Sequence, residues 1–393
     1  MANGNWWQKP TLRVFNEHEE RKVSWLELFF DLTFVVIVAQ LAHYLVHHIS
    51  GEGVITFVLL FLPAWWTWIG GTFYNARFET HDVSYRLLVF LMMIPVTVMA
   101  VFAHSGLGEG SIGFALAYVA GRALLVFMWM RGGYHEPSIR PLTNRYAIGF
   151  GLSGLLFLIS IWVAPPLRFV LWILGLFSDL ITPILTVPYQ MKLPRLSRGK
   201  LPERYGLFVI IVLGEAIVGI IGGVAEIEPF SFSVGLESLI SLVLVIGLWW
   251  IYFDNVGRRE PKQKMWWLVP WSYLHLPLVL SIAAASAGIR NALTGGGHGA
   301  DAPSHWLLAG SIAVALISIG LIETSLHREP HEVLHHRASI PLTLGAGLAA
   351  LALAIWGSLD TMALLLVLLV IVLIPIIYNV YAWQRSSDYI EVE

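Results

Sequence analysis

Twelve apolar stretches of about 20 residues dominate the sequence, and short polar or Gly/Pro-containing breaks separate them. They begin near Ser24, Val54, Ser84, Ser111, Thr143, Pro166, Arg204, Ser233, Trp266, Ser304, Ala338 and Asp360. A helix needs about 20 mostly apolar residues to cross a bilayer. Residues 362–383 are apolar on every helix face, whereas barrel strands alternate over about 10 residues. With 57% hydrophobic and 13% charged residues, the chain is predicted to be an all-α polytopic membrane protein with about twelve transmembrane helices.

The basic residues are sorted by side of the membrane. In the twelve-helix arrangement, 21 of the 24 Lys and Arg residues lie on the side of the amino terminus. Arg168 and Arg290 lie on the other side, and Arg122 lies inside a helix. The positive-inside rule therefore predicts that both termini are cytoplasmic. Residues 1–23 are polar and form a predicted cytoplasmic segment rather than a cleavable signal peptide.

Internal similarity suggests a duplicated six-helix unit. The stretch "FFDLTFVVIVAQLA" from Phe29 aligns with "RYGLFVIIVLGEAI" from Arg204, which sets Gln40 opposite Glu215. "AWWTW" and "MMIPVTVMA" resemble "LWWIY" and "LHLPLVLSI" in the same order and at similar offsets. We therefore predict two six-helix pseudo-repeats, residues 24–190 and 191–393, related by an axis along the membrane normal. Chance similarity among apolar helices is the alternative.

Three motifs carry a resemblance to a known family. "WLELFFDLTFVV" from Trp25, "ERYGLFVIIVLGEAI" from Glu203 and "WWIYFD" from Trp249 resemble the bacterial low temperature requirement A family. The resemblance extends over essentially the whole chain. It implies a multi-pass membrane protein, named for a cold-growth phenotype, without a settled activity. Family members often carry a His three residues before the Glu-Arg pair, where this chain has Lys200.

A weaker resemblance concerns ion conduction. "LELFFDLTF" is similar to the first-helix signature of a potassium-channel family built from six-helix repeats, although Phe30 replaces the signature serine. A literal "FSD" at Phe177 lies on the sixth helix, which runs in the opposite direction. We interpret that second copy as a coincidence.

The first helix begins with two acids. Ser24 and Glu27 have the spacing of a capping box, in which the two side chains bond each other's backbone N–H groups. Asp31 lies about 10 Å inside the helix, where a charge needs a partner or water. Its expected partner is Arg86 or Arg204. Glu27, Asp31, Glu203 and Arg204 are thus a predicted helix lock or cytoplasmic vestibule.

Five further polar residues fall near the middle of their helices. They are Gln40, Arg122, Asp179, Glu215 and His275. A charge at the bilayer centre costs at least about 2.5–3.5 kcal/mol, so Arg122 is expected to pair with Asp179 or Glu215. The set is predicted to form an ion-coupling site, the alternative being a buried pair that only fixes packing.

Two other features have plain structural explanations. "HEVLH" from His331 matches a zinc-protease signature, but no nearby third ligand follows and a solvated loop helix is favoured. Neither metal, cofactor nor catalytic residue is predicted. The tryptophans at 65, 66, 68, 249 and 250 are expected to form interfacial belts, with a cation–π site as the alternative.

Together these patterns predict a bacterial inner-membrane secondary transporter, driven by protons or cations, for an unknown small solute or ion. A cation channel with the helix-1 acids at its cytoplasmic opening is the alternative, and an intramembrane hydrolase rests on "HEVLH" alone. The protein is not expected to be an enzyme. The expected partners are the lipid bilayer and the transported solute, with a possible homodimer and no nucleic acid.

Overall fold

A computed structural model describes residues 8–12, 23–79, 82–194, 200–257, 259–262, 264–295, 302–327, 338–356 and 359–390. Nearly all of these residues are helical. The "HEVLH" motif, for which a solvated loop helix is predicted, lies outside the described residues.

The helices of the first half of the chain follow one another with short connections. They are α1 (Trp25–His47), α2 (Gly51–Arg77), α3 (Val83–Ala103), α4 (Ser111–His135), α5 (Arg140–Ser160), α6 (Leu167–Leu185) and the single turn α7 (Val187–Gln190). A 3-10 turn (Pro137–Ile139) leads into α5. Two short strands, β1 (Thr11–Leu12) and β2 (Phe78–Glu79), pair antiparallel and join the amino-terminal segment to the end of α2.

The second half of the chain is also helical. Its helices are α8 (Lys200–Ala225), α9 (Phe232–Tyr252), α10 (Met265–Thr294), α11 (Ala302–Thr324), α12 (Ser339–Trp356) and α13 (Thr361–Ile390). A π-helical turn (Phe253–Gly257) continues α9.

The predicted fold class is confirmed. Among the described residues, twelve helices are long and apolar enough to cross a membrane. Each of them begins within four residues of the start predicted from the sequence. Helices satisfy every internal backbone hydrogen bond within one segment, which a spanning chain requires in lipid. The chain is therefore a multi-pass helical membrane protein.

The chain divides into two compact units. The first unit contains residues 1–44 and 55–204, and the second contains residues 45–54 and 205–393. In the first unit α4 packs against α3 and α5, and α5 packs against α6. In the second unit α11 packs between α10 and α12, and α9 packs against α13. The sequence duplication itself stays a prediction.

Side chains at the helix starts explain several boundaries. The capping box predicted at α1 is present, since Ser24 N donates to Glu27 Oε2 at 3.0 Å and Glu27 N donates to Ser24 Oγ at 3.3 Å. Asp82 caps α3 by accepting from Tyr85 N at 3.2 Å. These bonds satisfy N–H groups that a first helical turn leaves unpaired.

Candidate functional site

Asp31 forms a buried ion pair in the first unit. Arg204 Nε donates to Asp31 Oδ2 at 3.2 Å, and Arg204 Nη2 bonds Asp31 Oδ1. Trp68 Nε1 also donates to Asp31 Oδ1, at 2.8 Å. Of the two cations expected from the sequence, Arg204 is therefore the partner. A two-pronged guanidinium–carboxylate contact fixes orientation as well as charge.

Glu27 has a cation of its own. Lys200 Nζ lies 2.6 Å from Glu27 Oε1, while Glu27 Oε2 accepts from Ser24 Oγ at 3.0 Å. Lys200, which stands where family members often carry His, thus pairs with the first-helix acid. Glu203 contributes differently, because its carboxylate accepts an exposed hydrogen bond from Val23 N at 3.2 Å.

The predicted helix lock included Glu203, but the four paired charges are Glu27, Asp31, Lys200 and Arg204. From here on, the name helix lock refers to these four residues. Its two acids and two cations are all buried, Glu27 and Asp31 to 1% and 0% exposure. The acids therefore do not line an open vestibule in this conformation. The lock ties α1 to the first turns of α8 through paired charges.

The tryptophans of α2 differ from the expectation. Trp65, Trp66 and Trp68 are buried rather than lipid-facing, so the belt prediction was wrong for them. Trp68 is held inside because its indole N–H donates to Asp31. Trp249 and Trp250 are exposed, as an interfacial position requires.

A second buried charge cluster lies where α4, α5 and α6 meet. Arg122, at the middle of α4, places Nε 3.4 Å from Asp179 Oδ2 on α6. Ser153 Oγ of α5 donates to the same oxygen at 2.7 Å, and the Tyr118 hydroxyl also donates to it. The Arg122 guanidinium lies 4.7 Å from the centre of the Tyr118 ring. We call Tyr118, Arg122, Ser153 and Asp179 the Asp179 cluster.

Several atoms of the Asp179 cluster are unsatisfied. Asp179 Oδ1, Arg122 Nε and Arg122 Nη2 are buried and have no hydrogen-bond partner among the residues that the structure describes. Asp179 and Arg122 are 0% and 2% exposed. Unpaired buried polar atoms are costly and rare, so each calls for a specific explanation.

Glycines bring the three helices of this cluster close together. A Cβ on Gly149 would lie 2.0 Å from Thr182 Oγ1, and one on Gly154 would lie 3.3 Å from Arg122 Cβ. Small residues at such positions let membrane helices approach closely. The polar side chains of α4, α5 and α6 therefore meet over short distances.

Glu215 belongs to the second unit. Its side chain is partly exposed, and Arg290 of α10 is the cation that acts on it electrostatically. Ser286 Oγ donates to the Glu215 carbonyl at 3.0 Å, which fixes α8 against α10. Arg290 also pairs with Glu226. Of the two acids expected for Arg122, Asp179 is the partner.

His275 and Gln40 complete the set of residues predicted near the middle of their helices. His275 is fully buried, its Nδ1 lies 2.7 Å from the Trp271 carbonyl and its Nε2 lies 3.1 Å from the Tyr252 hydroxyl. Because a carbonyl only accepts, Nδ1 carries the hydrogen. Gln40 is partly exposed on α1 in the first unit. Both ring nitrogens of His275 are thus occupied by hydrogen bonds.

Comparison with known proteins places this architecture in a family. Residues 22–376 match the family model described as bacterial low temperature requirement A protein (LtrA). The chain belongs to the LtrA family. An uncharacterized protein of Rhizobium meliloti (strain 1021) is 30% identical over 297 residues, which cover 69% of each chain.

The motifs that carry the LtrA resemblance supply three of the four helix-lock residues, and the fourth, Lys200, lies three residues before the second motif. Glu27 and Asp31 lie in the first motif, and Glu203 and Arg204 lie in the second. Two regions that are far apart in sequence therefore meet in one charge-balanced contact. No group of three or more His, Cys, Asp or Glu side chains that could hold a metal ion occurs within the described part of this LtrA chain.

The sequence did not indicate that Tyr118 and Ser153 donate hydrogen bonds to Asp179. One signal was available for Tyr118, because it precedes Arg122 by four residues and so shares its helix face. Ser153 gave no comparable signal, since the rotation of α5 about its axis decides which small residue faces α6. Lys200 was noted only as a departure from the family pattern, although it pairs with Glu27.

Proposed function

We propose that this LtrA-family chain is a secondary transporter of the bacterial inner membrane, with cytoplasmic termini, that couples a small solute or ion to protons or cations. The observation that carries the proposal is the contrast between the two buried aspartates of the first unit. Asp31 has hydrogen bonds at both carboxylate oxygens. Among the residues that the structure describes, Asp179 accepts hydrogen bonds at Oδ2, and its Oδ1 has no partner.

This contrast distinguishes Asp31, a carboxylate that fixes the packing of helices, from Asp179, a carboxylate that can also bind an ion. A carboxylate that only fixes helices is stable when both of its oxygens accept hydrogen bonds, as at Asp31. Asp179 lies within a spanning helix, where an incompletely paired charge is expensive. Its free oxygen and the adjacent Arg122 nitrogens offer one acceptor and two donor positions. A proton or cation at Asp179 would change its attraction to Arg122, which is the response that coupling requires.

Glu215 is the second proposed coupling group. It is a partly exposed acid inside a spanning helix of the second unit, and the predicted repeat sets the uncharged Gln40 opposite it. A titratable group that is present in only one of two similar halves would make ion binding asymmetric. His275 is proposed as a supporting residue, because its hydrogen bonds hold α10 to Tyr252.

The helix lock argues against the channel alternative. An acidic channel opening attracts cations through uncompensated carboxylates. Here Glu27 and Asp31 are buried and paired with Lys200 and Arg204. The pairs leave no net negative charge from these four side chains.

Proteoliposomes with an imposed proton or sodium gradient test the proposal. Solid-supported-membrane currents would be recorded while panels of amino acids, sugars, organic acids and organic cations are added. We expect a saturable current that requires both a solute and the gradient. Asp179→Asn should abolish this coupling, whereas Glu237→Gln, an acid of α9, should retain it.

Two results would count against the proposal. Dissipation of the gradient without any added solute would favour a channel. Full coupled flux in Asp179→Asn would reduce the Asp179 cluster to a packing element.

A further inference from the structure

A groove lies between α1 and α3 in the first unit. Its volume is about 500 Å³, and it is lined by Trp25, Leu26 and Phe29 of α1 and by Tyr85, Arg86 and Phe90 of α3. We call it the α1–α3 groove. Its volume falls within the range of about 300–1,000 Å³ that small-molecule sites have. None of its lining residues belongs to the helix lock or to the Asp179 cluster.

The character of the groove changes with depth in the membrane. Consecutive spanning helices alternate in direction, so α1 and α3 begin at the same membrane surface. Arg86 lies in the first turn of α3, about 5 Å from its start, and Phe90 lies one turn deeper. On α1, Trp25 is the first residue and Phe29 lies one turn deeper. A cation therefore lies near the membrane surface, and aromatic rings continue the groove toward the hydrocarbon.

The Arg86 guanidinium is available to a ligand. The sequence left Arg86 and Arg204 as the two expected partners of Asp31, and Arg204 is the one that pairs with it. Among the residues that the structure describes, none forms a hydrogen bond or an ion pair with the exposed Arg86 guanidinium. This side chain thus brings a positive charge to the groove.

The acids at the starts of the two helices are engaged elsewhere. Asp82, which precedes α3, accepts hydrogen bonds from Gln8 N at 2.9 Å and from Tyr85 N at 3.2 Å. Glu27 of α1 pairs with Lys200, with Nζ and Oε1 2.6 Å apart. Neither carboxylate competes with a ligand for the Arg86 charge in this arrangement.

We propose that the α1–α3 groove binds one anionic phospholipid, with the phosphate against the Arg86 guanidinium and an acyl chain along Phe29 and Phe90. A guanidinium binds phosphate oxygens through two parallel N–H bonds. Basic pockets between transmembrane helices bind the head groups of anionic lipids. One net negative charge on the lipid balances the one cation among the lining residues.

The apolar lining favours a phospholipid over a soluble anion. Free phosphate would contact only the Arg86 end and would leave the exposed rings of Trp25, Phe29 and Phe90 uncovered. A phospholipid covers both the charge and the rings. Tryptophan at a membrane surface also prefers the depth of the head groups, which is the position that Trp25 has at the start of α1. The order of groups in the groove, cation and then aromatic rings, matches the order of phosphate and acyl chain in a lipid.

Native mass spectrometry of the full chain tests this inference, which does not rest on the transport proposal. The chain would be stripped of lipid in detergent and titrated with dioleoyl phosphatidylglycerol or dioleoyl phosphatidylcholine, which share their acyl chains. We expect one saturable phosphatidylglycerol adduct that forms at lower lipid concentration than the phosphatidylcholine adduct. Arg86→Gln should weaken phosphatidylglycerol binding roughly fivefold, as expected when one cation near a lipid surface is lost.

Two control variants keep the result interpretable. Arg145→Gln removes another exposed cation of the first unit, one that lies outside the groove, and should keep the affinity for phosphatidylglycerol. Asp179→Asn should keep it too, so that failure of the transport proposal is distinguishable from failure of this one.

Photo-crosslinking gives a second readout that does not need the Arg86 variant to fold. The photoreactive amino acid p-benzoylphenylalanine would replace Phe90, which lines the groove, or Leu91, which is exposed but does not line it. The chain would be reconstituted with equal amounts of phosphatidylglycerol and phosphatidylcholine. Position 90 should capture phosphatidylglycerol in preference, whereas position 91 should capture both lipids equally.

Three outcomes would overturn the inference. Equal affinities for the two lipids would show that the groove does not select an anionic head group. Phosphatidylglycerol binding that is unchanged in folded Arg86→Gln would place the lipid elsewhere. Capture of residues 13–22 of the chain by position 90 would show that the groove is filled by the protein itself.

Discussion

Arg204 and Asp31, which are 173 positions apart in the sequence, hold each other through two hydrogen bonds inside the first unit. Neither side chain has more than 1% of its surface exposed. Each charge therefore has the other as its partner in place of water, and Trp68 donates a third hydrogen bond to Asp31. Loss of either partner leaves the other charge buried.

Arg204→Gln should destabilise the protein strongly. Removing one member of a buried ion pair typically costs about 3–5 kcal/mol, because an uncompensated charge remains. Asp31→Asn in the same chain should restore a large part of the loss, since the orphaned carboxylate is then gone. A double-mutant cycle on thermal unfolding midpoints measures the coupling. Simple additivity of the two losses would show that the ion pair is not the source of the effect.

Arg122→Ala should likewise lower the folded yield, with Asp179 as the specific partner. The second substitution Asp179→Asn should raise the yield again, because Arg122 Nε lies within ion-pair distance of Asp179 Oδ2, at 3.4 Å. Glu215→Gln serves as the comparison and should give no rescue. Fluorescence-detected size-exclusion chromatography of tagged variants measures the yield. Rescue by Glu215→Gln alone would contradict the observed pairing.

Two glycines on α5 give a matched test of helix packing. A Cβ on Gly149 would lie 2.0 Å from Thr182 Oγ1, whereas a Cβ on Gly151 would meet no atom within 4 Å. Gly149→Ala should cost about 1–3 kcal/mol through forced separation of α5 and α6. Gly151→Ala should stay within about 0.5 kcal/mol. Comparable midpoints for the two variants would indicate that Thr182 moves aside freely.

Asp82 should make the amino-terminal contact acid-sensitive. Burial alone would raise the pKa of Asp82, but hydrogen bonds from Ser84, Gln8 N and Tyr85 N, with the charge of Arg131, hold this pKa below its ordinary value of 3.8. The folded pKa is therefore lower than the unfolded one. The resulting stability is present above about pH 4 and is lost as the pH falls through the folded value.

The measurement is the difference in unfolding midpoint between the unmodified chain and Asp82→Asn. This difference should be constant between pH 5 and 7, and it should shrink below about pH 4. A difference that persists unchanged at pH 3 would show that the carboxylate charge contributes nothing. Ser84→Ala removes one donor to Asp82 and should reduce the difference at neutral pH.

The predicted orientation has a direct test, because the chain contains no cysteine. Ser138 and Glu109 are exposed and flank opposite ends of α4. The charge distribution places Ser138 on the cytoplasmic side. In intact cells, a membrane-impermeant maleimide should label Glu109→Cys but not Ser138→Cys, and both should react after the cells are opened. The reverse pattern would invert the topology.

The twelve helices could be predicted because the signal is local. Each spanning segment must be apolar over about 20 residues regardless of its neighbours, so the starts follow from composition alone. The capping box of Ser24 and Glu27 was also local, since both residues lie in one turn. The family followed from motifs that keep acids at fixed positions within apolar stretches.

Partners across helices were only partly predictable. Arg204 was one of two expected partners of Asp31, and Asp179 was one of two expected partners of Arg122, because buried charges need opposite charges and few candidates exist. Which hydroxyl groups face Asp179 depends on how each helix is rotated about its axis, and a helix that is apolar on every face gives no sequence signal for that rotation. For this reason Tyr118 and Ser153 were not predicted as donors.

The ion pair between Asp31 and Arg204 also constrains the order of events during synthesis. Helix α1 leaves the ribosome 173 residues before its cationic partner, which at 5–20 residues per second corresponds to a wait of roughly 10–35 s. Throughout that interval Asp31 must remain at the lipid surface, bind a proton or be sheltered by the insertion machinery. A chain that stalls before α8 therefore displays an unmatched acid at its first helix, which membrane proteases could recognise as the mark of an unfinished protein.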